Sequence, residues 1–283
     1  MFKFLLVICI SLAQFTFLFA QEPVVITQQK NLETIVNFEY SEDGKYIASV
    51  DNENNDIKIW DVRSSKLIGS LHNHEKKITA ISFHPNGQQL YSADKDNNHF
   101  IWDLNTWTLK DSAKTSFETK KAKFTPDGLD IVIIDSQNKL FKLDAYDIRA
   151  KRDKKSLPAA VNDISIYGDL VAISLKNSKI LIVDTRTMIT VDEIATKSIK
   201  NIDFIGWSKS NMIGVSKSGE IYKFNVRSYQ LEDTYETNVK CELASINRNK
   251  SYVSLTSDNG SAFIYDFITK KQIAELSSEN EED

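Results

Sequence analysis

All four histidines of the chain, His72, His74, His84 and His99, fall between positions 72 and 99. His72-Asn73-His74 has the alternate spacing that puts two imidazoles on one side of a strand. With His84 or His99 as further ligands, such a set could hold zinc. No cysteine or carboxylate cluster accompanies them at a ligand spacing, so no metal is assigned. Asp51-Asn52-Glu53-Asn54-Asn55-Asp56 is rich in oxygen ligands, but Asp56 stands where a calcium loop requires glycine and Val62 where it requires glutamate. It reads as a solvated loop.

Nucleophilic and phosphate chemistry fare no better. Gly214-Val215-Ser216-Lys217-Ser218-Gly219 is one residue too long for a nucleophile elbow. There is no phosphate-cradling glycine loop, and no pair of carboxylates has a catalytic spacing. The most basic stretch, Ala150-Lys151-Arg152-Asp153-Lys154-Lys155, reads as a sheet edge whose charge discourages sheet-to-sheet pairing, rather than as a phosphate or nucleic-acid site. No cofactor and no catalysis are expected.

The elements that carry these residues recur. Ile57-Lys58-Ile59-Trp60-Asp61 is echoed by Phe100-Ile101-Trp102-Asp103, Leu140-Phe141-Lys142-Leu143-Asp144 and Ile180-Leu181-Ile182-Val183-Asp184. Ile221-Tyr222-Lys223-Phe224-Asn225 and Phe263-Ile264-Tyr265-Asp266 complete the set. The closing Asp or Asn falls at 61, 103, 144, 184, 225 and 266, in steps of 42, 41, 40, 41 and 41. A second marker runs in phase. Phe83-His84-Pro85-Asn86-Gly87 matches Phe124-Thr125-Pro126-Asp127-Gly128, and Phe38 to Gly44 matches more loosely. These are tight turns in which glycine takes a positive φ.

Each turn precedes a β-rich run, and each unit reads as four strands; in the first they are about 35–40, 46–50, 57–62 and 66–71. Strands rich in Ile, Val, Phe and Tyr, four to a unit of about 41 residues, predict an all-β chain folded as a single β-propeller of six four-stranded blades. A β-sandwich also has regular short strands, but it predicts no four-strand period with recurring end residues.

On these residues the sequence resembles the WD40-repeat family of β-propellers. The second unit matches most fully, from Leu71-His72-Asn73-His74 through Ser92-Ala93-Asp94-Lys95-Asp96 to Trp102-Asp103. The resemblance implies a hydrogen-bonded chain of His74, Ser92, Asp96 and Trp102. Asn73 stands where the family usually has glycine, and the first unit keeps Trp60-Asp61 without an upstream histidine. Later units replace the tryptophan by Leu143, Val183, Phe224 and Tyr265. The likeness covers residues 24–276 and speaks to the fold; one fold hosts many functions.

Two segments compete for the outer strand of the last blade. Val24-Val25-Ile26-Thr27 would fasten the ends of the ring in the family's usual closure, whereas Lys271 to Leu276 belongs to the sixth unit itself. The expectation is a closed ring completed by residues 24–27. An open ring completed by a partner's strand is the alternative. Upstream, one lysine and a nearly continuous apolar run from Phe4 to Ala20 describe a secretory leader at residues 1–20, with a retained anchor as the alternative. The propeller is then placed at 21–276 and an acidic, frayed tail at 277–283. Cleavage removes Cys9 and leaves Cys241 as a single thiol, so no internal disulfide supports the domain. Asn249-Lys250-Ser251 and Asn259-Gly260-Ser261 match the glycan acceptor pattern at about chance frequency. Trp107 and Trp207 do not fit the repeat position and are expected to pack partly buried.

The 283 residues carry 26% charged and 41% hydrophobic side chains and a net charge of −4. That balance excludes a polytopic membrane protein and argues against a general nucleic-acid binder. The functional expectation is a non-enzymatic scaffold, exported to the periplasm or secreted. It would bind protein or peptide partners, with no nucleic acid and, once the leader is cleaved, no stable membrane span. Loops on a rigid scaffold concentrate binding residues. The candidate contacts are therefore Asp51 and Asn54, His72 and Lys76, and Lys95 and Asn97. A propeller enzyme using its central channel for metal-assisted hydrolysis or lyase chemistry, and an open subunit of an export or cell-surface assembly, are the alternatives.

Overall fold

The computed structural model describes residues 6–7, 25–26, 35–51, 55–64, 66–195, 199, 201–208, 210–247, 251–257 and 261–276. Six antiparallel sheets of four strands follow one another along the chain as the blades of a β-propeller. Blade one comprises Ile35–Tyr40, Tyr46–Asp51, Ile57–Asp61 and Lys66–Leu71. Blade two comprises Ile78–Phe83, Gln89–Asp94, Asn98–Asp103 and Thr108–Lys114. Blade three is built from Thr119–Phe124, Asp130–Asp135, Lys139–Asp144 and Lys151–Ser156. Blade four contains Val161–Tyr167, Leu170–Leu175, Lys179–Asp184 and Thr190–Ala195. Phe204–Trp207, Asn211–Val215, Glu220–Asn225 and Leu231–Glu236 form blade five. Cys241–Ile246, Tyr252–Ser257, Ala262–Asp266 and Lys271–Leu276 form blade six.

The chain divides into two compact units. Residues 33–199 hold blades one to four; residues 1–32 with 200–283 hold blades five and six and a short ladder of Leu6–Val7 with Val25–Ile26. Within the larger unit the first strands of successive blades lie beside one another, as they do between blades five and six, so the fourth strands form the outer edges.

The residue that marks the period has a local reason. Its side-chain oxygen caps the turn that follows the third strand by accepting backbone N–H groups two and three residues on. Asp103 takes those of Asn105 and Thr106 (2.8 and 3.3 Å), Asp184 those of Arg186 and Thr187 (2.8 and 3.0 Å). Asn225 serves equally well, accepting from Arg227 and Ser228 (2.8 and 3.1 Å), because only an oxygen is needed. A bulge then shifts the register between each third and fourth strand. Such bulges increase the twist of a sheet and interrupt its edge.

Second and third strands supply most of the core. In blade three Ile131, Val132, Ile133 and Ile134 are fully buried in succession, the continuous apolar run of a strand covered on both faces. Neighbouring blades share apolar clusters: Ile59 and Leu71 of blade one pack with Phe83, Leu90 and Trp102 of blade two. Ile213 and Val215 of blade five pack likewise with Val253, Leu255 and Tyr265 of blade six. Each such side chain contributes roughly 1.5–3 kcal/mol on burial. Turns also clasp the preceding blade's outer strand. Arg149 grips Asp111 with two nitrogens (3.1 and 3.0 Å), and Lys270 reaches Asp233 (2.6 Å). Trp107 lies over Gly69, where any Cβ would stand 2.6 Å from the indole.

Three sequence expectations are settled here. The outer position of blade six is taken by Lys271–Leu276, hydrogen-bonded to Ala262–Asp266, and not by residues 24–27. A hairpin closed by the short Asp266-capped turn costs less loop entropy than recruiting a strand from the far end of the chain. Val25–Ile26 pairs instead with Leu6–Val7. Trp207 is fully buried and Trp107 is partly exposed at its edge. The remainder of the expected leader and the whole of the tail at 277–283 lie outside the described residues. Among the described residues no helix is long and apolar enough to cross a membrane.

Candidate functional site

Beneath the loop that joins blades one and two runs a buried hydrogen-bonded chain. Trp102 Nε1 donates to Ser92 Oγ (2.8 Å), so the single hydroxyl proton of Ser92 goes to His74 Nε2 (2.7 Å). His74 then carries its own proton on Nδ1 and donates it to Asp94 Oδ2 (2.8 Å). Ser92 and Asp94 alternate on one strand and so share a face. Burial depresses the His74 pKa despite the pull of Asp94. Burial also pushes the Asp94 carboxyl up, but hydrogen bonds from His74 and Asn98 outweigh it and hold it low.

The carboxylate of this chain is Asp94, which corrects the expectation of Asp96. Asp96 is exposed in the turn, because the strand ends at Asp94, and donates its backbone N–H to Asp94 Oδ1 (2.9 Å). Asn98 N–H binds the same oxygen (3.0 Å). Asp94 thus caps its own turn with one oxygen and anchors His74 with the other. Asp135, at the same place in blade three, caps its turn through Gln137 and Lys139 (2.9 and 2.8 Å). That recurrence was the readable signal for Asp94.

Above the chain, two ties hold the rim. His72 Nδ1 pairs with Asp56 Oδ1 (2.9 Å), joining the inter-blade loop to the loop of blade one. Lys95 N–H donates to Lys77 carbonyl (3.1 Å), joining it to the turn of blade two. His72, Lys76 and Lys95 are exposed on this frame. Asn97 is half-buried in the left-handed region (φ 64°), and its carbonyl accepts from Thr115 N–H (2.9 Å). Blade five solves the same turn with Gly219 (φ 94°), where a Cβ would lie 2.1 Å from Val239 O. Asp51 closes the second strand of blade one, and Asn54 lies outside the described residues.

The other histidines are committed elsewhere. His84 Nε2 meets the Gly128 carbonyl (3.2 Å). His99 is buried: Thr115 spends its hydroxyl proton on Phe117 O (2.9 Å), so it accepts from His99 Nε2 (3.0 Å), and Tyr91 donates to Nδ1 (2.8 Å). This second buried network joins blades two and three and escaped the sequence reading. On the first strands, Glu39 pairs with Lys123 (2.8 Å) and accepts from Ser82 and Phe83 (each 3.3 Å), while Lys121 pairs with Asp163 (3.0 Å). Burial raises the Glu39 pKa in spite of Lys123. These groups tie blade to blade. Among the described residues no three His, Cys, Asp or Glu side chains converge as a metal site.

Comparison with known proteins follows the same lines. The family description "WD domain, G-beta repeat" matches residues 65–103, the outer strand of blade one and three strands of blade two. The chain is a WD40-repeat β-propeller. This WD40 chain is 23% identical over 229 residues to TBC1 domain family member 31 of Xenopus tropicalis, across 75% of the chain and 21% of that protein. It is 30% identical over 91 residues to the periodic tryptophan protein 2 homolog of Neurospora crassa, 32% of the chain and 10% of that protein. The WD40 chain thus spans about a fifth or less of the length of these curated relatives. The β-propeller domain of Myceliophteria thermophila Cps50 (Swd1) superposes with a TM-score of 0.70 at 16% identity, over 87% of this chain and 89% of that one. That likeness speaks to the propeller fold.

Proposed function

We propose that the protein is a non-catalytic docking scaffold that binds a protein or peptide through the rim between blades one and two, outside the cytoplasm. The observation that carries this is the pairing of an exposed, charged loop with a buried hydrogen-bonded anchor. His74 pins the centre of the loop to Ser92 and Asp94, while His72 and Lys76 stand exposed on either side of it. Binding loses little conformational entropy when the loop is already held in place. Support for a non-catalytic role comes from the titratable groups: those of the rim anchor and of the first strands are spent on bonds between strands and blades. Export is supported by the leader pattern of residues 1–20.

The test is affinity capture from the native envelope and secreted fractions, read by mass spectrometry, with wild type beside the triple variant His72→Ala, Lys76→Glu, Lys95→Glu. A partner retained by wild type and lost by the variant is the expected result. An identical captured set with both proteins would overturn the assignment to this rim.

A further inference from the structure

Blade three carries a second surface, separate from that rim, with two features that the other blades of its unit do not combine. The first is an exposed apolar pair at the turn end of the blade. Ala145 N–H donates to Leu129 O (3.0 Å), which sets the two turns side by side, and next to this bond Leu129 and Tyr146 are 51% and 71% exposed. The same two positions, located by the same bond, are Lys45 and Arg63 in blade one and Gln88 and Asn105 in blade two, and Asp169 and Arg186 form an ion pair (3.3 Å) in blade four. Within its unit the apolar pair is therefore peculiar to blade three, and no feature of the shared turn requires it.

The second feature begins a few residues on. The outer strand Lys151–Ser156 has four cations, one anion and no apolar residue, whereas every other outer strand of the six blades has apolar positions. Part of its charge is used within the blade. Lys151 lies over the rings of Phe141 and Phe117, at 3.6 and 4.4 Å from their centroids. Arg152 binds Asp130 and Asp144. Lys154 and Lys155 make no ion pair among the described residues, and Lys154 is exposed. Lys154 and Lys155, without an ion pair among the described residues on a chain of net charge −4, are complementary to carboxylates. The left-handed backbone at Asp153 (φ 45°) and the register shift beside it interrupt the free edge. Recognition there runs through side chains rather than by adding a strand.

We propose that blade three docks an extended acidic segment of a partner protein that also carries an apolar residue, with Leu129 and Tyr146 receiving the apolar group and Lys154 and Lys155 the carboxylates. The register places Lys154 opposite Phe141 and Lys151 opposite Leu143, so the bulge leaves them about 7 Å apart along the edge, a span of two residues of an extended peptide. An apolar residue followed by alternating acids matches that spacing.

The probe is a fluorescein-labelled synthetic peptide, a leucine pair followed by alternating serine and glutamate, titrated into the full chain at about 0.1 M salt by fluorescence anisotropy. The expected result is saturable binding that Lys154→Glu/Lys155→Glu weakens by at least about tenfold and Leu129→Ser/Tyr146→Ser by a few-fold. Lys66→Glu, on the outer strand of blade one, is expected to leave it unchanged. Because charge reversal can disturb a fold, Lys154→Gln/Lys155→Gln is measured beside it, and circular dichroism shows that each variant retains its sheet. Binding unaffected by the lysine variants, or no binding at all, overturns the proposal. So does a single-stranded oligonucleotide that binds through the same lysines as tightly as the peptide. Retention of the peptide by the His72, Lys76, Lys95 variant separates this surface from the rim, so either assignment can fail without the other.

Discussion

Blades two and three share their strand order and register, yet they hold their middles together by different chemistry. In blade two, Ser92 and Trp102 sit where blade three has Ile133 and Leu143, and His74 sits where blade three has Thr115. Blade two thus closes by donors and acceptors in series, from Trp102 through Ser92 and His74 to Asp94. Blade three closes by dispersion, with Phe117 edge-on to Phe141 at 4.6 Å and Lys151 laid across both rings. What both keep is the turn-capping aspartate, Asp94 or Asp135. The comparison separates what the two blades share from what one adds: both keep the aspartate cap, where blade four has a buried leucine, Leu175, and the histidine bridge is optional wherever packing replaces it.

The strongest way to break that reading is to cut into the packing of blade three. Phe141 is fully buried and touches Phe117 and Lys151. Phe141→Ala removes an aromatic side chain from a site that cannot collapse around the loss, and a destabilisation of about 3–5 kcal/mol is expected. Urea unfolding followed by circular dichroism measures it. A loss of less than about 1 kcal/mol would mean that the polar contacts around Thr115 hold the blade and the contrast is false.

Blade two offers a gentler and sharper test. His74→Ala leaves Ser92 and Asp94 buried without their partner and is expected to cost about 1–3 kcal/mol; Asp94→Asn, which keeps the shape but weakens the bond from His74, belongs in the lower part of that range. Asp96→Asn is expected to stay within about 0.5 kcal/mol, because that side chain is exposed. Thermal melts of the three variants rank them. If Asp96→Asn proved as costly as Asp94→Asn, the placement of the carboxylate would be wrong.

That distinction also shows how far the residues alone carried the argument. The blades were legible because the capping Asp or Asn recurs once per sheet, and the capped turn leaves little freedom in where it stands. His74, Ser92 and Trp102 were reached through the family resemblance. The choice between Asp94 and Asp96 needed the end of a strand, since two residues decide whether a side chain faces Ser92 or solvent. The outer strand of blade six was undecided for a related reason: residues 24–27 and 271–276 have similar β patterns, and only the Asp266-capped hairpin ranks them. The His99 network was illegible because Tyr91 lies on the second strand of blade two while Thr115 and Phe117 lie in the connection to blade three, with no shared spacing.

His99 supplies the smallest and most specific test, because it is the hydrogen-bonded joint between the two blades compared. Burial pulls its pKa down to about 4, with Asp94 opposing and His74 reinforcing the shift. An unfolded histidine titrates near ~6.5. The fold therefore holds His99 neutral while the unfolded chain binds a proton, and stability is fully present above about pH 6.5 and drains away as pH falls toward 4. The geometry gives the same sign: Tyr91 needs Nδ1 as an acceptor, and a protonated ring offers none. Tyr91, Thr115 and Phe117 touch the ring without offering it a carboxylate, and the attraction of Asp94 is outweighed by burial. His99→Gln preserves one acceptor for Tyr91 and one donor for Thr115 without titrating. Melting the two proteins between pH 7 and pH 5 is expected to show the wild type losing stability faster, by about 1 kcal/mol per pH unit at its steepest, which is just under the limit for one proton. The slope that His74 contributes remains in both, since it too is held neutral by burial. Parallel curves would mean that His99 already carries its second proton in the fold, and the assigned direction of its bond to Tyr91 would have to be reversed.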